Sequence, residues 1–240
     1  SVQVNNLTDN AIQGLDVNLK NSWQIKKNHS LDFGYQFTQN DVRFQFSLNN
    51  RNILDGDQDA QQNALYLQYH GASLNEQLQV QIGLRQTFYD LSQKTYFSPR
   101  FSATYYLNDQ WLLKGAWSKY YQFLRESTHE TALGRTSNFW LLANEKKFPV
   151  SSSINRMLGL RFAHSLFDID IEFYDRKLDG VIEHAQVFAG FNADDGKPPR
   201  RNFRLFIGEG RTRGMDVLLK KTAGNYTGWI SYTLSKNTNW

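Results

Sequence analysis

The 240-residue sequence contains no cysteine. A disulfide framework, a thiol nucleophile and a cysteine-ligated zinc site are therefore excluded. Nowhere does it approach the run of about 18 apolar residues that an α-helical membrane span needs, which leaves a β-barrel as the only membrane-crossing option. The opening, SVQVNNLTDN, lacks the basic and apolar regions of a signal peptide, so an exported protein would be mature or truncated at this point. Charge is also scarce in excess: the net value is +4 with a pI near 9.1. No dense Lys/Arg block accompanies it, so nucleic acid is not an expected partner.

Aromatic residues are abundant instead, with 12 Tyr, 17 Phe and 6 Trp. Yet the mean hydropathy is only −0.60. A membrane barrel reconciles the two, because half of its strand residues face lipid and half face a wet interior.

Apolar and polar residues alternate along most of the chain, the period of a β-strand. Leu15, Val17 and Leu19 oppose Asp16, Asn18 and Lys20. Leu31, Phe33, Tyr35 and Phe37 form the next apolar set, which resumes as Val42, Phe44, Phe46 and Leu48. Similar sets follow in Leu65 to Tyr69, Leu78 to Phe88, Phe101 to Leu107, Trp111 to Trp117, Leu158 to Phe162, Phe167 to Phe173, Met215 to Leu219 and Ile230 to Leu234. This predicts about ten strands and no helix. Short turns are expected near residues 27, 73, 109, 165 and 223. Long loops are expected over Asn49 to Gln62, Arg125 to Ser153 and His184 to Glu209, with a shorter connection near residue 93. Short turns at one end and long loops at the other are the asymmetry of an outer-membrane barrel. Asp168, Asp170 and Glu172 suit a polar lumen and would be costly in a dry core. The expected fold is thus all-β, an antiparallel transmembrane β-barrel, with the apolar faces toward lipid.

Phe97 to Arg125 (FSPRFSATYYLNDQWLLKGAWSKYYQFLR) and Gly210 to Asn237 (GRTRGMDVLLKKTAGNYTGWISYTLSKN) resemble the barrel of TonB-dependent outer-membrane receptors. The resemblance lies in a Ser-Pro-Arg strand start, a tight Asn-Asp turn and a strand ending Tyr-Tyr-Gln. A Gly-x-Asp-x-Leu-x-Lys-Lys strand then precedes a Gly-Trp-x-x-Tyr strand. Asn138 to Ser153 (NFWLLANEKKFPVSSS) resembles the family's intervening loop. The resemblance covers most of residues 30–240 and implies import of a scarce ligand of the siderophore, cobalamin or glycan class. It implies an outer-membrane location and contact with membrane lipid and lipopolysaccharide. It further implies coupling to TonB through a plug domain that residues 1–240, read as a single barrel segment, do not show. A surface lipoprotein is a further partner to be expected. Such barrels have about 22 strands, so about ten strands are read as part of a larger barrel, continuing past Trp240.

Arg125, His129, Arg135, Asn138, Phe139 and Trp140 combine cations with aromatics in one long loop. Arginine suits carboxylate or phosphate and aromatic faces stack on rings, so these six are the candidate ligand-binding residues, although loop packing accounts for them too. Arg200, Arg201 and Arg204 form a second basic cluster, suited to an anionic surface. The acidic run Asp55 to Asp59 fails the EF-hand pattern, since Ala60 and Tyr66 occupy the positions for Gly and Glu. No metal site, cofactor or catalytic residue is expected: the histidines lack ligand spacing and there is no GxSxG elbow. A passive channel barrel and a soluble β-sandwich for binding remain the alternative functions.

Overall fold

A computed structural model describes residues 6–48, 51–73, 75–130, 136–146, 148–188 and 201–240. The described residues form twelve strands: β1 (Asn6–Lys26), β2 (His29–Leu48), β3 (Arg51–Ser73), β4 (Leu78–Tyr89), β5 (Lys94–Tyr106), β6 (Trp111–Gln122), β7 (Leu124–Glu130), β8 (Thr136–Leu142), β9 (Ser151–Ala163), β10 (Phe167–Phe188), β11 (Arg201–Lys221) and β12 (Gly228–Asn239). Ten of them make one antiparallel sheet in the order β1-β2-β3-β4-β5-β6-β9-β10-β11-β12. β7 and β8 pair separately as a hairpin. The fold class read from the alternation is the one observed.

The tight turns have local causes. Asn28 sits at φ 61 in the turn between β1 and β2, a conformation that asparagine tolerates. Asn108 Oδ1 accepts from the backbone N–H groups of Gln110 and Trp111, both at 2.9 Å, which closes the β5–β6 turn as an Asx turn. Asp90 Oδ1 likewise accepts from Leu91 N at 2.7 Å and from Gln61 N at 2.9 Å.

Cross-strand register separates the two faces. One row reads Trp23, Leu31, Tyr69, Ile82, Phe101, Trp117, Arg156, Asp175, Arg213 and Lys236 from β1 to β12. The row displaced by one residue lies on the opposite face and reads Ser22, Asp32, Gln68, Gly83, Arg100, Ser118, Asn155, Arg176, Thr212 and Asn237. The first row is apolar as far as Trp117; the second carries no apolar side chain. On the first face Leu19, Leu65, Leu67, Ile82, Leu158 and Phe173 stand exposed, which water would penalise and lipid would not.

Three expectations need correction. Of the loop expected over Asn49 to Gln62, Arg51–Gln62 belongs to β3 and continues the ladder with β2 up to Leu48↔Arg51. The third loop also narrows, because β10 and β11 pair up to Phe188↔Arg201. In both hairpins the backbone ladder outlasts the apolar alternation. Backbone pairing does not depend on what covers either face, so the sequence pattern fades while the hydrogen bonding does not. The second long loop, Arg125 to Ser153, contains the β7–β8 hairpin.

The third correction concerns Val42 and Phe44. They pair with Ile12 and Asn10 on β1 and with Gln58 and Gly56 on β3, and so lie on the face opposite Leu31 to Phe37. Val42 is fully buried and Phe44 is 9% exposed. They join Ala60, Tyr89, Tyr96, Phe123, Leu141 and Leu142 in the protein's buried apolar cluster. Lipid does not cover this second stripe; the β7–β8 hairpin and its flanks do. The side chains of Phe46 and Leu48 lie outside the description.

Candidate functional site

The inward-folded hairpin makes the mouth at the end away from the short turns. Its two strands pair from Leu124↔Leu142 to Glu130↔Thr136. Leu141 and Leu142 are fully buried at its base. Phe123, the residue before β7, packs against Tyr89 and Tyr96 with ring centroids 4.6 and 5.1 Å apart. Tyr96 also meets Tyr121 edge-on at 4.9 Å. Aromatic rings in such tilted contacts gain beyond their burial.

Polar contacts fix the hairpin on two sides. The Asn10 amide of β1 donates through Nδ2 to the Asn138 carbonyl at 3.2 Å and accepts through Oδ1 from Trp140 N at 3.4 Å. One side chain thereby substitutes for a neighbouring strand. On the other side, Arg125 Nη2 donates to the Gly180 carbonyl at 3.0 Å. Ser151 Oγ donates to the same oxygen at 2.8 Å. That carbonyl is presented by a bulge between Asp179 and Val181 on β10, where Gly180 adopts φ +70. Burial lowers the pKa of Arg125 from its ordinary value, although the group stays charged at any physiological pH.

β1 and β10 are the first and eighth strands of the sheet. At a spacing of about 4.8 Å a flat sheet would hold them about 34 Å apart. One two-stranded hairpin, about two strand widths across, touches both, so the sheet is curled around it.

A further clamp holds the chain after β8. Lys94 Nζ lies 3.2 Å from Glu145 Oε2, and the Tyr96 hydroxyl donates to Glu145 Oε1 at 3.0 Å. Val150 N donates to the same Oε1 at 3.4 Å. Asn144 Oδ1 accepts from Lys146 N and Phe148 N, both at 3.1 Å. Burial raises the pKa of Glu145, but the hydrogen bonds from Lys94 and Tyr96 and the Lys94 charge outweigh it, and the net shift from 4.5 is downward.

The six candidate residues do not converge. Register places Arg125, His129 and Phe139 on one face of the hairpin and Asn138 and Trp140 on the other. Arg125 is engaged with Gly180, and the backbones of Asn138 and Trp140 with Asn10. The side chains of His129 and Phe139 lie outside the description, as does Arg135 altogether. Arg200 also lies outside it, as do the side chains of Arg201 and Arg204. Asn10 and Glu145 were not foreseen: an isolated Asn in a strand and a Glu beside Asn144 carry no sequence signal of a clamp. Among the described residues no group of His, Asp and Glu is arranged to hold a metal ion.

Below the mouth the inner wall is charged. Lys114 Nζ bridges Asp170 Oδ2, at 2.8 Å, and Glu172 Oε1. Arg161 holds Asp168 bidentately at 2.8 and 2.6 Å. Arg85 Nη2 donates to Gln36 Oε1 at 2.8 Å, and Gln36 Nε2 in turn donates to Asp16. Such a surface fits water or a polar occupant, not an apolar core.

Residues 2–240 match the family described as TonB dependent receptor-like, beta-barrel. No curated protein sequence matches. Among solved structures, the siderophore receptor PirA from Pseudomonas aeruginosa is similar at 12% identity and a TM-score of 0.66, over 96% of this chain and 45% of that one. The outer membrane transporter YddB from Escherichia coli is similar at 11% identity and a TM-score of 0.68, over 97% and 34%. The alcaligin receptor FauA from Bordetella pertussis gives 17%, 0.57, 98% and 40%. The chain thus spans less than half the length of these structures.

Proposed function

Because the chain belongs to the TonB dependent receptor-like β-barrel family, we propose that its residues 1–240 act as one wall segment of an outer-membrane receptor. That receptor imports a scarce ligand of the siderophore, cobalamin or glycan class. The observation that carries this reading is the two-faced sheet: apolar and exposed outside, charged inside, with a hairpin packed against its inner face. A lumen lined by Lys114, Asp170, Glu172, Arg161 and Arg85 suits a polar filling. In this reading the filling is a plug domain that TonB engages and the ligand passes. The β7–β8 hairpin, carrying Arg125, His129, Arg135, Asn138, Phe139 and Trp140, contributes to ligand capture. Arg125 serves in it as the anchor to β10 rather than as a direct contact. Outer-leaflet lipopolysaccharide surrounds the wall, and a surface lipoprotein assists at the mouth. The siderophore receptor PirA among the similar structures favours a siderophore among the ligand classes.

The test is uptake of radiolabelled iron presented as catecholate, hydroxamate or citrate complexes, beside labelled cobalamin and a maltooligosaccharide. Cells expressing the protein are compared with and without TonB, and with residues 126–140 replaced by a short Gly-Ser link. Uptake of one ligand that requires both TonB and the hairpin is expected. Uptake indifferent to TonB overturns the receptor reading in favour of a passive channel. Uptake indifferent to the hairpin removes it from ligand capture.

A further inference from the structure

The lipid-facing row that runs through Trp117 changes character abruptly. Two residues lower on each strand the row reads Gly115, Leu158, Phe173, Met215 and Leu234. At the next step it reads Trp117, Arg156, Asp175, Arg213 and Lys236, and beyond that Lys119, Ile154, Lys177, Arg211 and Thr238. Strand tilt explains where this lies. With nine gaps of about 4.8 Å and a tilt of about 40°, a row perpendicular to ten strands climbs about 28 Å. That is close to the apolar band height of about 25 Å. The row begins at Trp23, next to a short turn, and reaches Arg156 to Lys236 at the upper edge of the band, on the side of the mouth.

The cations there are gathered around a single anion. Arg211 Nε lies 2.6 Å from Asp175 Oδ1 and its Nη2 lies 3.1 Å from Oδ2. Arg213 Nε lies 3.1 Å from Oδ1, and Arg156 Nη1 lies 3.0 Å from Oδ2. Asp175 is 21% exposed, whereas Arg156 and Arg213 are 55% and 61% exposed. The carboxylate is therefore the more covered partner, and Arg156 and Arg213 each engage it through one nitrogen only. Lys236 stands opposite Arg213, and among the described residues no carboxylate pairs with it. Lys177 is matched separately by Glu209 at 2.7 Å. Three arginines thus share one carboxylate, with Lys236 beside them, at the border of a membrane, where unmatched charge is costly.

We infer that Arg156, Arg211, Arg213 and Lys236 form a site for the phosphomonoester headgroup of a membrane lipid. This deepens, and rests on, the reading that the outward face meets lipid. The acyl chains lie along Leu158, Phe173, Met215 and Leu234, directly below, and the headgroup reaches the charged row. A phosphomonoester carries close to two negative charges and three acceptor oxygens, which matches an excess of cations better than a singly charged phosphodiester. Guanidinium groups bind phosphate in a forked geometry. Continuity with the apolar band distinguishes this occupant from a free anion, which has no use for that surface.

The test places the protein in nanodiscs of phosphatidylcholine doped with a minor fraction of phosphatidic acid or of phosphatidylglycerol. Retained lipid is then identified by native mass spectrometry. The triple variant Arg156→Gln, Arg213→Gln, Lys236→Gln leaves Asp175 its bidentate partner Arg211. A control removes equal charge at the short-turn end through Lys26→Gln, Lys27→Gln and Lys221→Gln. The native protein and the control are expected to retain phosphatidic acid over phosphatidylglycerol, with inorganic phosphate failing to displace it. The triple variant should retain it at least about tenfold more weakly. Equal retention by the triple variant overturns the proposal, as does displacement by inorganic phosphate at equal concentration. If the triple variant does not insert, Lys236→Gln alone decides: reduced retention supports the site and native retention overturns it. A protein that stays monomeric in plain buffer and ignores nanodiscs defeats the membrane reading itself, whereas one that inserts without lipid preference defeats only the site.

Discussion

Tyr174 of β10 stands directly opposite Gly214 of β11, and its ring lies over the glycine where a side chain would otherwise be. A Cβ at Gly214 would overlap that ring and come 2.7 Å from the Leu234 carbonyl oxygen. The pairing recurs along the inner wall: Tyr66 covers Gly34, Phe44 covers Gly56, Arg100 covers Gly83 and Lys114 covers Gly159, each across one strand gap. Each glycine lets a long neighbour lie flat along the sheet. The interior stays open although large side chains line it.

Replacing Gly214 with alanine should therefore destabilise the wall by about 1–3 kcal/mol, the usual range for overpacking. Thermal unfolding in detergent checks it. Adding Tyr174→Ala should restore only part of the loss, because the clash with the Leu234 carbonyl remains. Full restoration would place all the strain in the side chain.

Val42 and Leu65 are both aliphatic strand residues, yet they should respond differently to aspartate. Val42→Asp buries a carboxylate under the hairpin and should detach β7–β8 at a cost of about 3 kcal/mol or more. Leu65→Asp, on the lipid side, should impair insertion and leave the hairpin packed. Protease cleavage between residues 124 and 142, measured beside insertion into liposomes, separates the two effects.

Asn10→Ala removes both hydrogen bonds to β8. A loss of about 1 kcal/mol of hairpin docking is expected, seen as faster amide exchange over 136–142 with β9 unchanged. Asn10→Asp keeps the acceptor for Trp140 N and loses the donor to Asn138, so it should fall between the two.

The Glu145 clamp should release with acid. Its pKa in the folded protein lies below the unfolded value of 4.5. Its stabilisation is therefore complete above pH 4.5 and is lost as pH falls through the folded value. Amide exchange over 143–150, corrected for intrinsic rates, should be slower in the native protein than in Glu145→Gln at neutral pH. The two should converge as the pH falls below the folded value. A difference that persists in acid would mean that Asn144 and the Phe148 contacts carry the clamp alone.

The ten wall strands were legible because a membrane imposes a period of two on residues such as Leu65, Leu67 and Tyr69. Where that pressure ends, the pattern misleads. Asp55, Asp57 and Asp59 look like a loop, yet two of them lie in ladder with Gln45 and Arg43 and the third with Asp41, because backbone pairing does not depend on which face is wet. Val42 and Phe44 keep the period but change sides relative to Phe37, since Val42 lies five positions beyond Phe37 and parity reverses over an odd step. Alternation reports that one face is apolar and says nothing of what covers it. The membership of Arg125 and Trp140 in one hairpin follows from their short separation. Their partners, Gly180 and Asn10, follow only from the curl of the sheet, which no local pattern encodes.

The hairpin joined to β1 through Asn10 and to β10 through Arg125 is a chord drawn across an arc of eight strands. A chord of fixed length sets the radius of its arc. The wall can keep both ends tied at one curvature only, so whatever lifts the hairpin from the mouth also slackens the wall. Access from outside and the width of the passage beneath are thereby one mechanical variable, and a cross-link that pins the hairpin would hold both at a single value.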